Sequence, residues 1–176
     1  MKTLKIIGMV VLAMIVILTI VIAVQPDRAH IEKSIMINAP AAAIFPEVSN
    51  YQNFNAWSPW SKMDPEAKHT FDGPRGSVGS SMSWSGPKTG TGSMKIEEIE
   101  ENKRVKSAMT FGGYDGKFHS EFILTPDENR TLVTWTYDGP NSGLTGKAVW
   151  IIMGSILSSQ YEQGLRDLKE VVEERK

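Results

Sequence analysis

The sequence predicts an α+β fold, in which an antiparallel sheet of short strands is covered by one long C-terminal helix and preceded by a separate apolar helix. Three features predict it. Residues 6–24 form an uninterrupted apolar run. Between residues 68 and 138, short segments of alternating polarity are separated by turns containing Gly, Pro, Asp and Asn. From Trp150 onward the apolar period lengthens to three or four residues and holds as far as Val172.

The opening run extends from Ile6 to Val24, and only Gly8 and Thr19 fall outside the aliphatic and methionine set. As a helix it would reach ~28 Å, close to the ~30 Å hydrocarbon core of a bilayer. Residues 1–26 are therefore expected to be a single-pass transmembrane anchor. The competing reading is a cleaved signal peptide beginning with Lys2 and Lys5, but a signal core is usually ~7–15 residues long. Lys2 and Lys5 are matched by Arg28 and Lys33 beyond the run. The free amino terminus favours an inside orientation, with the following domain on the periplasmic or extracytoplasmic side. The absence of cysteine agrees with that compartment.

Residues 27–176 form the second unit. Of the 41% hydrophobic residues, about 72 in number, 19 lie in the first 26 positions, which leaves the second unit about 35% apolar. Residues 30–38 alternate, with Ile31, Ile35 and Ile37 on one face, and predict a strand. Pro40 suits a helix start and residues 41–48 a short helix, kept brief or bent by Pro46. Residues 51–57 predict a second short helix, ending at Ser58-Pro59. Strands follow at 68–71, 80–85, 92–99, 104–111, 117–125 and 131–138. Glu100-Glu101-Asn102-Lys103 and Pro126-Asp127-Glu128-Asn129 supply hairpin loops. Phe118, Phe122 and Leu124 share one face of their strand, as do Val133, Trp135 and Tyr137, while His119, Glu121, Thr134 and Thr136 occupy the other faces. Such a sheet has one buried and one wet side. A helix from about 145 to 174 completes the unit, apolar at Trp150, Met153, Leu157, Tyr161, Leu165, Leu168 and Val172.

Composition excludes several chemistries. Cysteine nucleophiles, disulfides and zinc–cysteine sites are impossible without cysteine. After position 26 there are 17 Lys+Arg, which is 19 less Lys2 and Lys5, against 20 Asp+Glu, so no nucleic-acid footprint is expected. His30, His69 and His119 lack metal-ligand spacing, no serine stands in a nucleophile elbow, and Glu97-Glu98 with Glu100-Glu101 suit a solvated turn. The glycines from Gly73 to Gly92 fit turns and bulges, not a phosphate cradle. No catalytic residue, cofactor or metal is expected.

This order of elements, with the residues that fill it, resembles the START-like superfamily, also called SRPBCC or polyketide cyclase/dehydrase-like, and its membrane-anchored bacterial members in particular. The resemblance is carried by Glu32-Lys33-Ser34-Ile35-Met36-Ile37-Asn38-Ala39-Pro40, Ile44-Phe45, Trp57-Ser58-Pro59-Trp60, Gly76-Ser77-Val78-Gly79, Ser83-Trp84-Ser85-Gly86, Gly90-Thr91-Gly92-Ser93-Met94, Phe122-Ile123-Leu124-Thr125-Pro126, Thr134-Trp135 and Glu162-Gln163-Gly164-Leu165. Pro46 departs from the usual pattern. The resemblance implies a helix-grip fold whose sheet curls around the long helix and encloses a cavity for an apolar ligand. Carried onto this sequence, the lining would be Met82, Trp84, Met94, Met109, Phe111, Phe118, Phe122, Trp135 and Tyr137, with Trp57 and Trp60 at one mouth and Trp150, Met153 and Leu157 covering from the helix. The same large side chains could equally fill a solid core. The expected partners are a small hydrophobic or lipid-like ligand and the bilayer. A cyclase- or hydrolase-type enzyme using Tyr137, Glu121 or a histidine, and an envelope interaction module, are the alternatives.

Overall fold

The computed structural model describes residues 2–114 and 116–174. Helix α1 (Lys2–Ala23) stands largely clear of the rest, and its stretch Thr3–Ala23 is long and apolar enough to cross a membrane. It stops one residue short of Val24, which begins the turn into the sheet.

Seven strands form one antiparallel sheet. They are β1 (Arg28–Ile37), β2 (Lys68–Asp72), β3 (Ser81–Gly86), β4 (Gly90–Glu100), β5 (Arg104–Phe111), β6 (Phe118–Asp127) and β7 (Arg130–Pro140), in the order β1-β7-β6-β5-β4-β3-β2. All sequence neighbours from β2 to β7 are hairpins, and β1 closes the row by pairing with β7. Between β1 and β2 lie α2 (Ala41–Ser49), α3 (Tyr51–Trp57) and α4 (Pro59–Met63), and α5 (Gly143–Glu174) ends the chain.

Most of these elements follow the expected pattern, with three differences. The β6–β7 loop is only Glu128-Asn129, because Pro126 and Asp127 extend the strand and Glu128 takes a φ of 55° to close the turn. Pro46 sits inside α2 without ending it, and its carbonyl is used twice afterwards, by the Asn50 N–H and the Asn53 side chain. Helix α4 is five residues long, too short to show a period. Pro59 starts it, and it is held to α5 by Lys62, whose Nζ lies 3.0 Å from Asp167.

Register fixes which end of the sheet meets α1. Arg28 pairs with Pro140, and the β3–β4 and β5–β6 turns lie at that same end. We call it the proximal end. Asn141 donates from its side chain to the Pro26 carbonyl at 2.8 Å and from its N–H to the Asp27 carbonyl at 2.8 Å. Lys147 on α5 reaches the Ala23 carbonyl at 3.1 Å and the Asp27 carboxylate at 2.8 Å. Helix α5 then runs away from α1 alongside β1, and Glu173 accepts from the N–H and the side chain of Asn38 at the distal end.

Candidate functional site

The inner face of the sheet, turned toward α5, carries the residues that alternation assigned to it. Their cross-strand rows run from the proximal to the distal end. Trp84 and Phe111 flank Gly92, and the Trp84 ring lies so close over Gly92 that there is no room for a Cβ there. Met82, Met94, Met109 and Phe118 form the next row, with Phe118 lying over Gly139. Ser107, Ser120 and Tyr137 follow, and then Val105, Phe122 and Trp135.

The two halves of this face differ in kind. Around Trp135 the interior is filled. Its ring lies 4.6 Å from Phe122, 4.1 Å from Tyr161 and 5.7–5.9 Å from Phe54, Trp57 and Trp60. Trp135, Trp57 and Tyr161 are each 1% exposed. The polar atoms here are satisfied locally: the Trp135 indole N–H donates to Ser120 at 2.8 Å, the Tyr51 hydroxyl to Ser107 at 2.8 Å, and the Trp57 N–H to the Glu47 carbonyl at 3.1 Å. Burial raises the phenols of Tyr51 and Tyr161 well above the ordinary tyrosine range, although hydrogen bonds to Ser107 and Ser120 oppose it.

At the proximal end the wall is apolar but not closed. Trp84, Met109, Phe111 and Trp150 are all half-buried. Phe111 lies 5.9 Å from Trp84 and 5.2 Å from Phe118, and Trp150 stacks on Tyr137 at 5.8 Å. Burial pushes the Tyr137 phenol up to about 12, so at neutral pH it is an uncharged group in an aromatic wall. Met82, Met94, Phe118 and Tyr137 are buried behind the rim.

Three expectations change on this geometry. Trp57 does not stand at a mouth: its helix, α3, presents Tyr51, Phe54 and Trp57 to the core at i, i+3 and i+6, and Trp57 ends against Phe122 and Trp135. Trp60 is half-buried against Trp135 and Tyr161. Met153 points outward and is 49% exposed, so Trp150 and the half-buried Leu157 form the helix side alone. A hollow at the level of Trp135 is replaced by packed rings.

Phe54, Tyr161, Ser107 and Ser120 belong to this interior and were not among the expected lining. Parity could have placed both serines, since Ser107 falls between inward Val105 and Met109 and Ser120 between inward Phe118 and Phe122. A cleft of about 200 Å³ lies elsewhere, between the start of α3 and the β2–β3 loop, and is lined by polar groups including Asn50, Gln52, Asp72 and Arg75.

Of the titratable groups weighed for catalysis, Tyr137 lies in the wall and His69 stands opposite Trp84 on the same face, while the others sit outside it. Glu121 pairs with Arg104, His119 lies 3.6 Å from Glu97, and His30 bonds Asp138 at 2.9 Å, all on the opposite face of the sheet. No group of three or more His, Asp or Glu that could hold a metal occurs among the described residues. Asp64, buried beside α4, accepts from the N–H groups of Lys88 and Thr89 and from the Thr89 hydroxyl at 2.8–2.9 Å. Desolvation raises its carboxyl, but these donors and the Lys88 charge outweigh it and hold it below the usual range. It caps the β3–β4 turn.

A family model described as polyketide cyclase/dehydrase and lipid transport matches residues 28–173. The chain belongs to this family. Among solved structures, norcoclaurine synthase from Thalictrum flavum, crystallised with dopamine and hydroxybenzaldehyde, is 15% identical, with a TM-score of 0.64 over 85% of this chain and 88% of its own. A Thermobifida fusca protein is 19% identical, with a TM-score of 0.63 over 82% and 93%. A Chromobacterium violaceum protein is 15% identical, with a TM-score of 0.59 over 82% and 97%. At these identities the likeness is one of fold, and it establishes the helix-grip architecture of this polyketide cyclase/dehydrase family member. No curated protein matches the sequence.

Proposed function

We propose that this family member is a single-pass membrane-anchored protein that binds a small hydrophobic or lipid-like molecule between the sheet and α5. The observation that carries the reading is the half-buried aromatic wall of Trp84, Phe111 and Trp150 at the proximal end, backed by buried methionines. Exposed rings of this size lose contact with water when an apolar guest covers them, at ~25 cal/mol per Å². The packed rings around Trp135 set the floor of the site, so the guest occupies the proximal half only. Norcoclaurine synthase, crystallised with two small aromatic compounds, shows that this fold can hold such molecules.

In this reading residues 1–26 are the anchor, with α1 spanning the bilayer, and residues 27–176 lie on the extracytoplasmic side. Support comes from the apolar stretch Thr3–Ala23 and from Lys2 and Lys5 ahead of it. The wall is mostly aromatic rings, thioethers and a neutral phenol, with the half-buried His69 opposite Trp84 as its imidazole, and this predominance of apolar groups favours binding over acid–base chemistry.

The test is extraction of the full chain, purified from membranes, followed by mass spectrometry of the bound small molecules. One apolar species should be enriched over the bulk lipid and should be lost from Phe111→Asp. Identical, bulk-like extracts from both proteins would overturn the reading.

A further inference from the structure

The first half of α5 has a surface that its place in a water-soluble domain does not explain. From residue 143 to residue 161 its only charged side chain is Lys147, and that charge is spent on Asp27 and the Ala23 carbonyl. Leu144, Val149, Ile151, Ile152, Met153 and Ile156 are all exposed, Ile152 at 66%. The second half of the same helix turns Glu162, Arg166 and Glu170 to solvent, so the apolar surface belongs to one half alone. Length gives the reason for its exposure. The 32 residues of α5 extend ~48 Å and the ten of β1 only ~33 Å. Glu173 ties their distal ends together, so the extra length of α5 falls at its amino end, where Trp150 still packs on Tyr137 while the exposed aliphatic residues face away from the sheet.

That overhang lies where the chain leaves α1. Lys147 and Asn141 bond residues 23, 26 and 27, and α1 touches α5. We propose that the amino-terminal half of α5 docks on the lipid bilayer beside α1, with its exposed aliphatic side chains entering the membrane interface. The inference rests on reading α1 as a membrane span and is independent of what the groove holds. A bilayer is the occupant because the span brings one to this surface in every molecule, at no cost in association. Apolar helix faces next to a membrane bury into the headgroup–acyl boundary. The β5–β6 loop at the same end exposes Tyr114 at 65%, an aromatic residue suited to that depth. Docking also sets the half-open wall of Trp84, Phe111 and Trp150 against the membrane surface.

The chain has no cysteine, so one introduced cysteine is a unique labelling site. Full-length Ile152→Cys, Leu12→Cys and Val78→Cys would each carry a nitroxide and be reconstituted in vesicles of phosphatidylethanolamine and phosphatidylglycerol. Oxygen, which partitions into lipid, and a water-soluble nickel chelate then report collision rates. Leu12 lies mid-way along α1, and Val78 is exposed in the distal β2–β3 loop. The label at 152 should favour oxygen over nickel as at 12, and the label at 78 should do the reverse. A water-like 152 with a lipid-like 12 would overturn docking and leave the span intact. Protection of 152 from both reagents would overturn it in favour of a second protein copy on this face. A water-like 12 would remove the span, and docking with it.

Discussion

Gly164 on α5 tests whether the interior is solid where Trp135 lies. A Cβ at this position would come within 2.7 Å of the Trp135 ring and 3.2 Å of Pro59. Two effects oppose each other in Gly164→Ala. Alanine favours the helix by ~1 kcal/mol, while overpacking a filled core costs ~1–3 kcal/mol. The ring cannot retreat, because Phe54, Trp57, Phe122 and Tyr161 surround it and its N–H is fixed on Ser120. The clash therefore lies toward the upper part of its range, and the net effect is a loss of ~1–2 kcal/mol, or ~3–6 °C in Tm for a domain of this size. Gly146→Ala is the matched control. Its Cβ would find nothing nearer than 3.8 Å, so only the helix gain of ~0.5–1 kcal/mol remains and Tm rises. Thermal unfolding of the full chain in detergent, followed by near-ultraviolet circular dichroism, reads both signs. If Gly164→Ala stabilises the protein as Gly146→Ala does, there is room beside Trp135. The reasoning that confines the ligand to the proximal half is then wrong.

The packed rings and buried polar groups make three further predictions. Trp135→Ala should cost ~3–5 kcal/mol in denaturant unfolding, since it empties the centre of the aromatic cluster; a loss under about 1 kcal/mol would show that the cluster carries little. Asp64, with its carboxyl held low in the folded state, contributes stability that is present above the unfolded value of ~3.9 and is lost as pH falls through the lower folded value. Wild type should therefore lose more stability than Asp64→Asn between pH 5 and pH 2 (roughly the range over which paired carboxylates protonate), and parallel curves would disprove the cap. Tyr51, Tyr137 and Tyr161 have raised phenols, so their contribution is complete below the unfolded value of ~10 and is lost as pH rises through the folded values. Absorbance at 295 nm should show these three of the four tyrosines ionising only together with unfolding, and their titration in the native protein would refute their burial.

Periodicity carried most of the architecture because it reports a single-body property, the side of an element on which water is excluded. The strand residues Phe118, Phe122, Trp135 and Tyr137 could be assigned inward from alternation alone, and Tyr161, Leu165 and Leu168 from the helical period. The same logic fails where an element is too short to show a period, as in α4, and it does not say whether an inward polar residue, such as Ser107 or Ser120, finds a partner. Ser107 and Ser120 are satisfied inside because Tyr51 and Trp135 each bring a donor, and neither donor is a sequence neighbour.

What the sequence determined by itself is therefore the division into an apolar run and a sheet-plus-helix domain, the absence of thiol chemistry, and the membership of each strand's inner face. The tertiary structure decided which of those inward side chains meet one another. Trp57, Trp60, Trp135, Phe122 and Tyr161 converge into a closed cluster from five different elements, while Trp84, Phe111 and Trp150 remain half-open at the end next to α1. Alternation gives direction perpendicular to a strand. It says nothing about height along the sheet, and whether an aromatic side chain fills a core or lines a site depends on what stands opposite at that height.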